Sequence, residues 1–305
     1  MSSNSVTAFQ PTLSDVLVVR AMLAQAVILP ELVGTILDYA EYWARSTTKA
    51  RLDVSIHAVS TGPGEFDYEG SRFLLRSYPV GLTERAYGGG DGDRSHGLAY
   101  PTTSIDPLPI DRPCDREFFQ NLIRNASTHS QPARKVVFRF RSHDQGWTTD
   151  ERTGPFITAK TWFDAGIERF DAGHTCGQCA DMRQLPVCKL RSIEPQIKKV
   201  IHHDEGHEYQ YSTTPWRGPR EIQRNKMASS EWADYEVTWT CWDVVPSNSA
   251  EAQRLMEQGK GKMDGDGQFV RNLRLGDIIT VWGRAMHRGW VNTVQSVQID
   301  VYWAI

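Results

Sequence analysis

The chain has 305 residues, 34 Lys plus Arg against 37 Asp plus Glu, a formal net charge of -3 and 40% hydrophobic residues. That composition is of the ordinary globular class and is long enough for one large domain or two modest ones. Near-neutral charge argues against nucleic acid as the main partner, because phosphate-tracking chains carry a basic excess. Five Cys in 305 residues are too few for a disulfide scaffold.

The opening MSSNSVTAFQPTLSD has neither a basic n-region nor an apolar h-region. The apolar stretch from Val16 to Leu37 is interrupted by Arg20, Gln25, Pro30 and Glu31, short of the roughly 20 apolar residues of a membrane span. A cytoplasmic protein with reduced thiols is expected, with the nucleus also open and no membrane partner. Residues 14–46 read as two amphipathic helices, the first capped by Ser14 or Asp15 and the second opened by Pro30. Two strand candidates follow, 52–56 and 71–76. Residues 81–113, rich in Gly, Pro, Asp and Ser, read as a long loop.

From Arg134 the pattern turns to β. Val136, Phe138 and Phe140 alternate with Val137, Arg139 and Arg141, and Tyr235, Val237, Trp239 and Cys241 repeat the period of two. Residues 278–282 and 297–303 behave alike, with a helix expected from Ser249 to Gly259. Nine of the ten Trp lie at or after Trp147. Short aromatic-rich strands separated by turns predict a mainly β protein, with a C-terminal β-sandwich of jelly-roll, galactose-binding-like type and a short N-terminal helical segment. The expected divisions are a helical segment over 1–50, a loop-rich connection over 51–133, and the sandwich over 134–305 with an insertion at about 171–210. Residues 136–147 and 279–290 echo each other: a strand, an Arg, four residues, then Gly-Trp.

The segments RSHDQGW (141–147), TWFDAGIERF (161–170), RNKMAS (224–229), GDGQFVRNLRLGDIITVW (265–282) and GWVNTVQSVQIDVYWAI (289–305) resemble a family of fungal proteins, some of which carry ankyrin repeats. The resemblance implies an architecture and no assigned reaction. Leu29-Pro30-Glu31-Leu32, with Ile36-Leu37 following, resembles an F-box, one residue shorter between the proline and the glutamate. That likeness implies docking on a ubiquitin-ligase adaptor, as a substrate receptor does. A plain helical pair packed on the sandwich is the alternative.

Two residue sets carry candidate chemistry. Arg141, His143, Asp144, Gln145 and Trp147 lie at one strand end, and Arg284, Trp290 and Asn292 supply a similar set at the other. If both ends share a rim, cation, carboxylate, amide and indole groups form a site for a small polar ligand, a glycan or a protein segment. An Arg–Asp pair and an indole plugging the sandwich end are the structural alternative. The second set is Cys176-x2-Cys179, with Cys188 and His202 or His203. A Cys-x2-Cys pair is half of a tetrahedral zinc site, so zinc held by Cys176, Cys179, Cys188 and His203 is weighed against a solvated loop. No serine-hydrolase elbow, HExxH helix or Walker loop is present, and an enzyme with His143 or Asp144 in a deep pocket is the rival class. A third reading gives the apolar stretch Val301 to Ile305 to an oligomer interface.

Overall fold

The computed structural model describes residues 9–26, 29–62, 68–82, 108–122, 127–149, 154–174, 187–203, 206–212, 220–261 and 263–305. Helix α1 (Leu13–Gln25) starts from Thr12, whose hydroxyl accepts from the Asp15 N–H (3.2 Å) while the Asp15 carboxylate accepts from the Thr12 N–H (2.8 Å). This reciprocal box satisfies two otherwise orphaned donors. Ser14 and Asp15, expected as caps, therefore lie inside the first turn. Helix α2 (Pro30–Tyr39) opens with proline at its first position. It stops four residues before Trp43, whose indole donates back to Asp38 (2.8 Å).

The remaining helices are α3 (Arg116–Leu122), α4 (Ala250–Glu257) and α5 (Gln268–Arg271), and the cap of α4 is Ser249, as its sequence predicts. The strands in chain order are β1 (Ala44–His57), β2 (Val59–Ser60), β3 (Tyr68–Arg76), β4 (Ala133–His143), β5 (Thr161–Phe170), β6 (Leu190–Ser192), β7 (Gln196–His203), β8 (Gly206–Ser212), β9 (Glu221–Arg224), β10 (Ala233–Thr240), β11 (Ile278–Met286) and β12 (Val291–Trp303).

The protein is mainly β, an antiparallel β-sandwich. One sheet runs β1-β12-β4-β10 and the other β2-β3-β11-β5-β6, with β9 also paired to β5. β7 and β8 form a separate hairpin. The expected divisions change accordingly. β1 pairs with β12 from Ala44↔Trp303 to His57↔Val291, and β3 pairs with β11. Ala44–His57 and Tyr68–Arg76 are therefore integral sandwich strands, not part of a helical segment and a connection. The residues at 83–107, inside the expected long loop, lie outside those described.

The core follows from period-two alternation. Val136, Phe138 and Phe140 of β4 face Phe163, Ala165 and Ile167 of β5 and Ile279, Val281 and Ala285 of β11. Phe140 and Phe163 stack between the sheets with centroids 4.1 Å apart. Fully burying each such ring contributes about 1.5–3 kcal/mol. Val301, Tyr302, Trp303 and Ile305 are buried within the chain, so the C-terminal stretch presents no apolar surface for the expected oligomer interface. Among the described residues, no helix is long and apolar enough to cross a membrane.

The outward side of the six-stranded sheet is also buried, and it is charged. Directly paired residues share a face, which puts Trp162, Asp164 and Glu168 of β5 beside Trp282 and Arg284 of β11 and Phe73 and Arg76 of β3. Arg76 grips Glu168 through two hydrogen bonds (2.6 and 3.0 Å). Arg284 donates to Asp164 (2.8 Å), which also accepts from the Trp162 indole (2.9 Å). Burial pushes the Asp164 carboxyl up to about 6 against the pull of Arg284.

Removing one partner of such a pair strands a buried charge. Arg284→Met is expected to cost about 3–5 kcal/mol, with most of the loss recovered in the Arg284→Met/Asp164→Leu double variant. Without Arg284 the folded-state pKa of Asp164 rises further above its unfolded value, so the native state binds the extra proton and stability falls as pH rises through that pKa. The single variant should thus lose less stability at pH 5 than at pH 8. Urea denaturation at the two pH values measures both effects.

Candidate functional site

The strand register gives the sandwich two distinct ends. Helices α1 and α2 sit where β4 begins and β12 finishes, while His143 closes β4 opposite Thr293 near the start of β12. At this second end three turns converge: 144–147 after β4, 225–232 before β10, and 287–290 between β11 and β12.

Asp144 organises the first two turns. It is fully buried, and its carboxylate accepts from the backbone N–H groups of Gly146 (2.9 Å), Ala228 (2.7 Å) and Ser229 (2.9 Å). Its own N–H reaches the Ser229 carbonyl (3.2 Å). Burial pushes the carboxyl up from the ordinary carboxylate range while the three donors pull it down. With both oxygens engaged by main chain, Asp144 shapes the loop. Its neighbour His143 points the other way, donates from Nδ1 to the Asp144 carbonyl (2.6 Å) and packs edge-on against Trp232. Gln145 ties the first turn to the third: its Oε1 accepts from Val291 N–H (3.1 Å) and its Nε2 donates to the Trp147 carbonyl (2.7 Å).

Backbone strain collects here. Four non-glycine residues among those described have left-handed φ, and two of them, Ala228 (54°) and His287 (70°), lie in these turns. Such conformations persist only where the surroundings over-determine them, and they cluster at functional sites. Gly289 (φ 84°) is required twice over. Its backbone is left-handed, and a Cβ there would stand 3.1 Å from the Trp147 ring.

The two echoed tryptophans take different roles. Trp290 is buried with Ala159 and Met227 and plugs the sandwich end. Trp147 lies over Gly289 with 56% of its surface exposed, and Trp232 is 40% exposed. Both indoles stand in solvent on turns held by hydrogen bonds.

Of the sequence-predicted residues, His143, Asp144, Gln145, Trp147 and Trp290 come together at this rim. Three do not. Arg141 points onto the outer face of the four-stranded sheet and pairs with Asp234 (2.7 Å). Arg284 is buried in its pair with Asp164. Asn292 is fully buried between the sheets, where its amide donates to the Trp162 and Arg284 carbonyls and accepts from Asn225. Arg284 and Asn292 are engaged internally before they reach the rim, whereas Arg141 is turned by the strand alternation onto the exposed outer face. Sequence reasoning missed Trp232, which no motif links to the Gly-Trp loops, and Ala228, whose strain leaves no mark in residue type.

For the expected zinc site, Cys176 and Cys179 lie outside the described residues. Cys188 sits in a short 3-10 turn and His203 ends β7. The described residues alone bring together no group of three or more His, Cys, Asp or Glu suited to a metal ion. Compared with family models, curated proteins and solved structures, the chain matches none. The fold and this rim are the grounds for a functional reading.

Two substitutions probe the rim's construction. Asp144→Ala leaves backbone N–H groups buried without an acceptor and should cost about 3 kcal/mol in denaturant unfolding. Gly289→Ala adds left-handed strain of about 1–2 kcal/mol and displaces Trp147. A shift in tryptophan emission, with the fold kept by circular dichroism, is its expected sign.

Proposed function

We propose that the chain is an intracellular, non-catalytic binding module that takes a small polar ligand, best a sugar ring, on the rim formed by Trp147, Trp232 and the Gly-Trp turns. The observation that carries this reading is Trp147, an indole 56% exposed on a loop whose backbone is fixed by Asp144 and Gln145. A rigid exposed indole offers a flat apolar face at little entropic cost, and the neighbouring His143 imidazole adds a polar edge. The binding reading is preferred to an enzyme with Asp144 in a deep pocket because both Asp144 oxygens serve the main chain.

Titration of tryptophan fluorescence with a panel of mono- and disaccharides tests the proposal. A saturable change is expected, weakened about tenfold or more in Trp147→Ala with the melting temperature unchanged. A flat response over the whole panel would remove the sugar reading, and saturation by a peptide library in its place would point to a protein segment.

A second reading concerns the helical end. α2 buries Val33 and Leu37 but exposes Leu32, Ile36 and Tyr39, with Leu29 exposed just before it. A helix apolar on both faces has one face to spare, and these residues include those that resemble an F-box. We infer an adaptor-docking helix, which would make the module a substrate receptor. Capture of the purified cullin adaptor by wild type, lost in Leu32→Asp/Ile36→Asp, is the expected result, and no capture by wild type refutes it.

A further inference from the structure

The four-stranded sheet turns two polar rows outward. Its register aligns Lys49 of β1, Gln298 of β12, Arg139 of β4 and Glu236 of β10 in one row across the strands. Arg51, Ser296, Arg141 and Asp234 form the next. Directly paired residues share a face, and every one of these is exposed or half-buried. Each row therefore runs from a cation at the β1 edge to a carboxylate at the β10 edge. Together the rows line an open depression of about 500 Å³.

The charges at the row ends keep bonding capacity. Among the described residues Lys49 makes no ion pair, and Arg51 pairs with Asp53 in solvent, the two side chains 73% and 53% exposed. Glu236 holds Arg139 through one oxygen (2.7 Å), and Asp234 holds Arg141 through one (2.7 Å). A carboxylate has about four acceptor positions, so each can take a second cation.

A surface ordered in this way fits its own reverse. Consider two copies laid face to face about a twofold axis parallel to the strands. The axis exchanges β1 with β10 and β12 with β4, and leaves each residue at its own level along the strands. Lys49 then faces Glu236 of the second copy, and Arg51 faces its Asp234. In the middle, the long Arg139 and Arg141 lie over the shorter Gln298 and Ser296. An axis across the strands would instead lay β1 on β1, cation on cation. Stacked sheets lie about 10 Å apart, a gap that long side chains bridge. Four strands about 4.8 Å apart carry an interface of about 1,000 Å² in total, the low end for specific association.

We propose that this face joins two copies of the chain in a weak, salt-sensitive homodimer with its twofold axis parallel to the strands. Both Gly-Trp rims then lie at the same end of the dimer, so a target with repeated binding groups meets two sites at once. The dimer itself does not depend on what the rim binds.

Sedimentation equilibrium over about 1 to 500 μM tests the proposal. Wild type should move from the 34.5 kDa of one chain toward twice that mass as concentration rises, and less so when added salt screens the charges. Lys49→Glu and Glu236→Lys should each weaken association about tenfold or more, with the melting temperature unchanged. Mixing the two variants should restore it, because every contact between unlike variants again joins opposite charges. The same recovery is expected with both substitutions in one chain. A wild type that keeps the mass of one chain throughout, association that survives either single variant, or variants that fail to restore one another would overturn the proposal.

Discussion

At the Gly-Trp end the two sheets are joined by a network of buried side-chain hydrogen bonds. Asn225, just after β9 in one sheet, donates to Asn292 of β12 in the other (2.9 Å) and to Thr161 of β5 (3.0 Å), while its oxygen accepts from Ser142 of β4 (2.7 Å). Asn292 completes the set on the carbonyls of Trp162 and Arg284. Ser142, Asn225 and Asn292 are fully buried. A buried polar network with every member satisfied fixes one register, because any slip leaves donors without acceptors. The rim depends on that register, since Asp144 and Gln145 can reach the other turns only if β4 ends and β12 begins where they do.

Charge on the outward side of the six-stranded sheet complements this restraint. The Arg76–Glu168 and Arg284–Asp164 pairs join β3, β5 and β11 side to side. They contribute little net stability, because desolvating each ion offsets most of the attraction. Their effect is selective: a misaligned β11 would leave a buried carboxylate facing tryptophan. The same sheet face carries Phe73 and Trp282 edge to face, 5.4 Å between centroids.

Much of this architecture was legible in residue order. β4 from Phe138 onward alternates between buried and partly exposed residues, the helix after Ser249 has its cap, and the echoed Gly-Trp segments do meet, through Trp147 and Gly289. β1 was only half visible. Its inward residues from Ala44 to Ala50 include Ser46 and Thr48, small and partly polar, so burial there has no hydrophobic signature. β5 is buried on both faces, which erases alternation and hides the pairing of Asp164 and Glu168 with arginines more than 90 residues away. Arg141, Arg284 and Asn292 have the types and spacing of rim residues, and neither property tells which face a strand turns to solvent. Trp232 carries no sequence signal for the rim, because its link to His143 is purely spatial.

β11 lies between β3 and β5, and β12 lies between β1 and β4. These two consecutive strands, joined by a short turn but not paired with each other, thus supply an interior strand to each sheet. During synthesis, β1, β3, β4 and β5 leave the ribosome before the strands they must flank, so neither sheet can close until residues 278–303 have emerged. Until then their edges stand open to any other chain. Assembly has to be late and nearly all at once, and a ribosome that stalls short of residue 278 releases a chain with helices and hairpins but no sandwich.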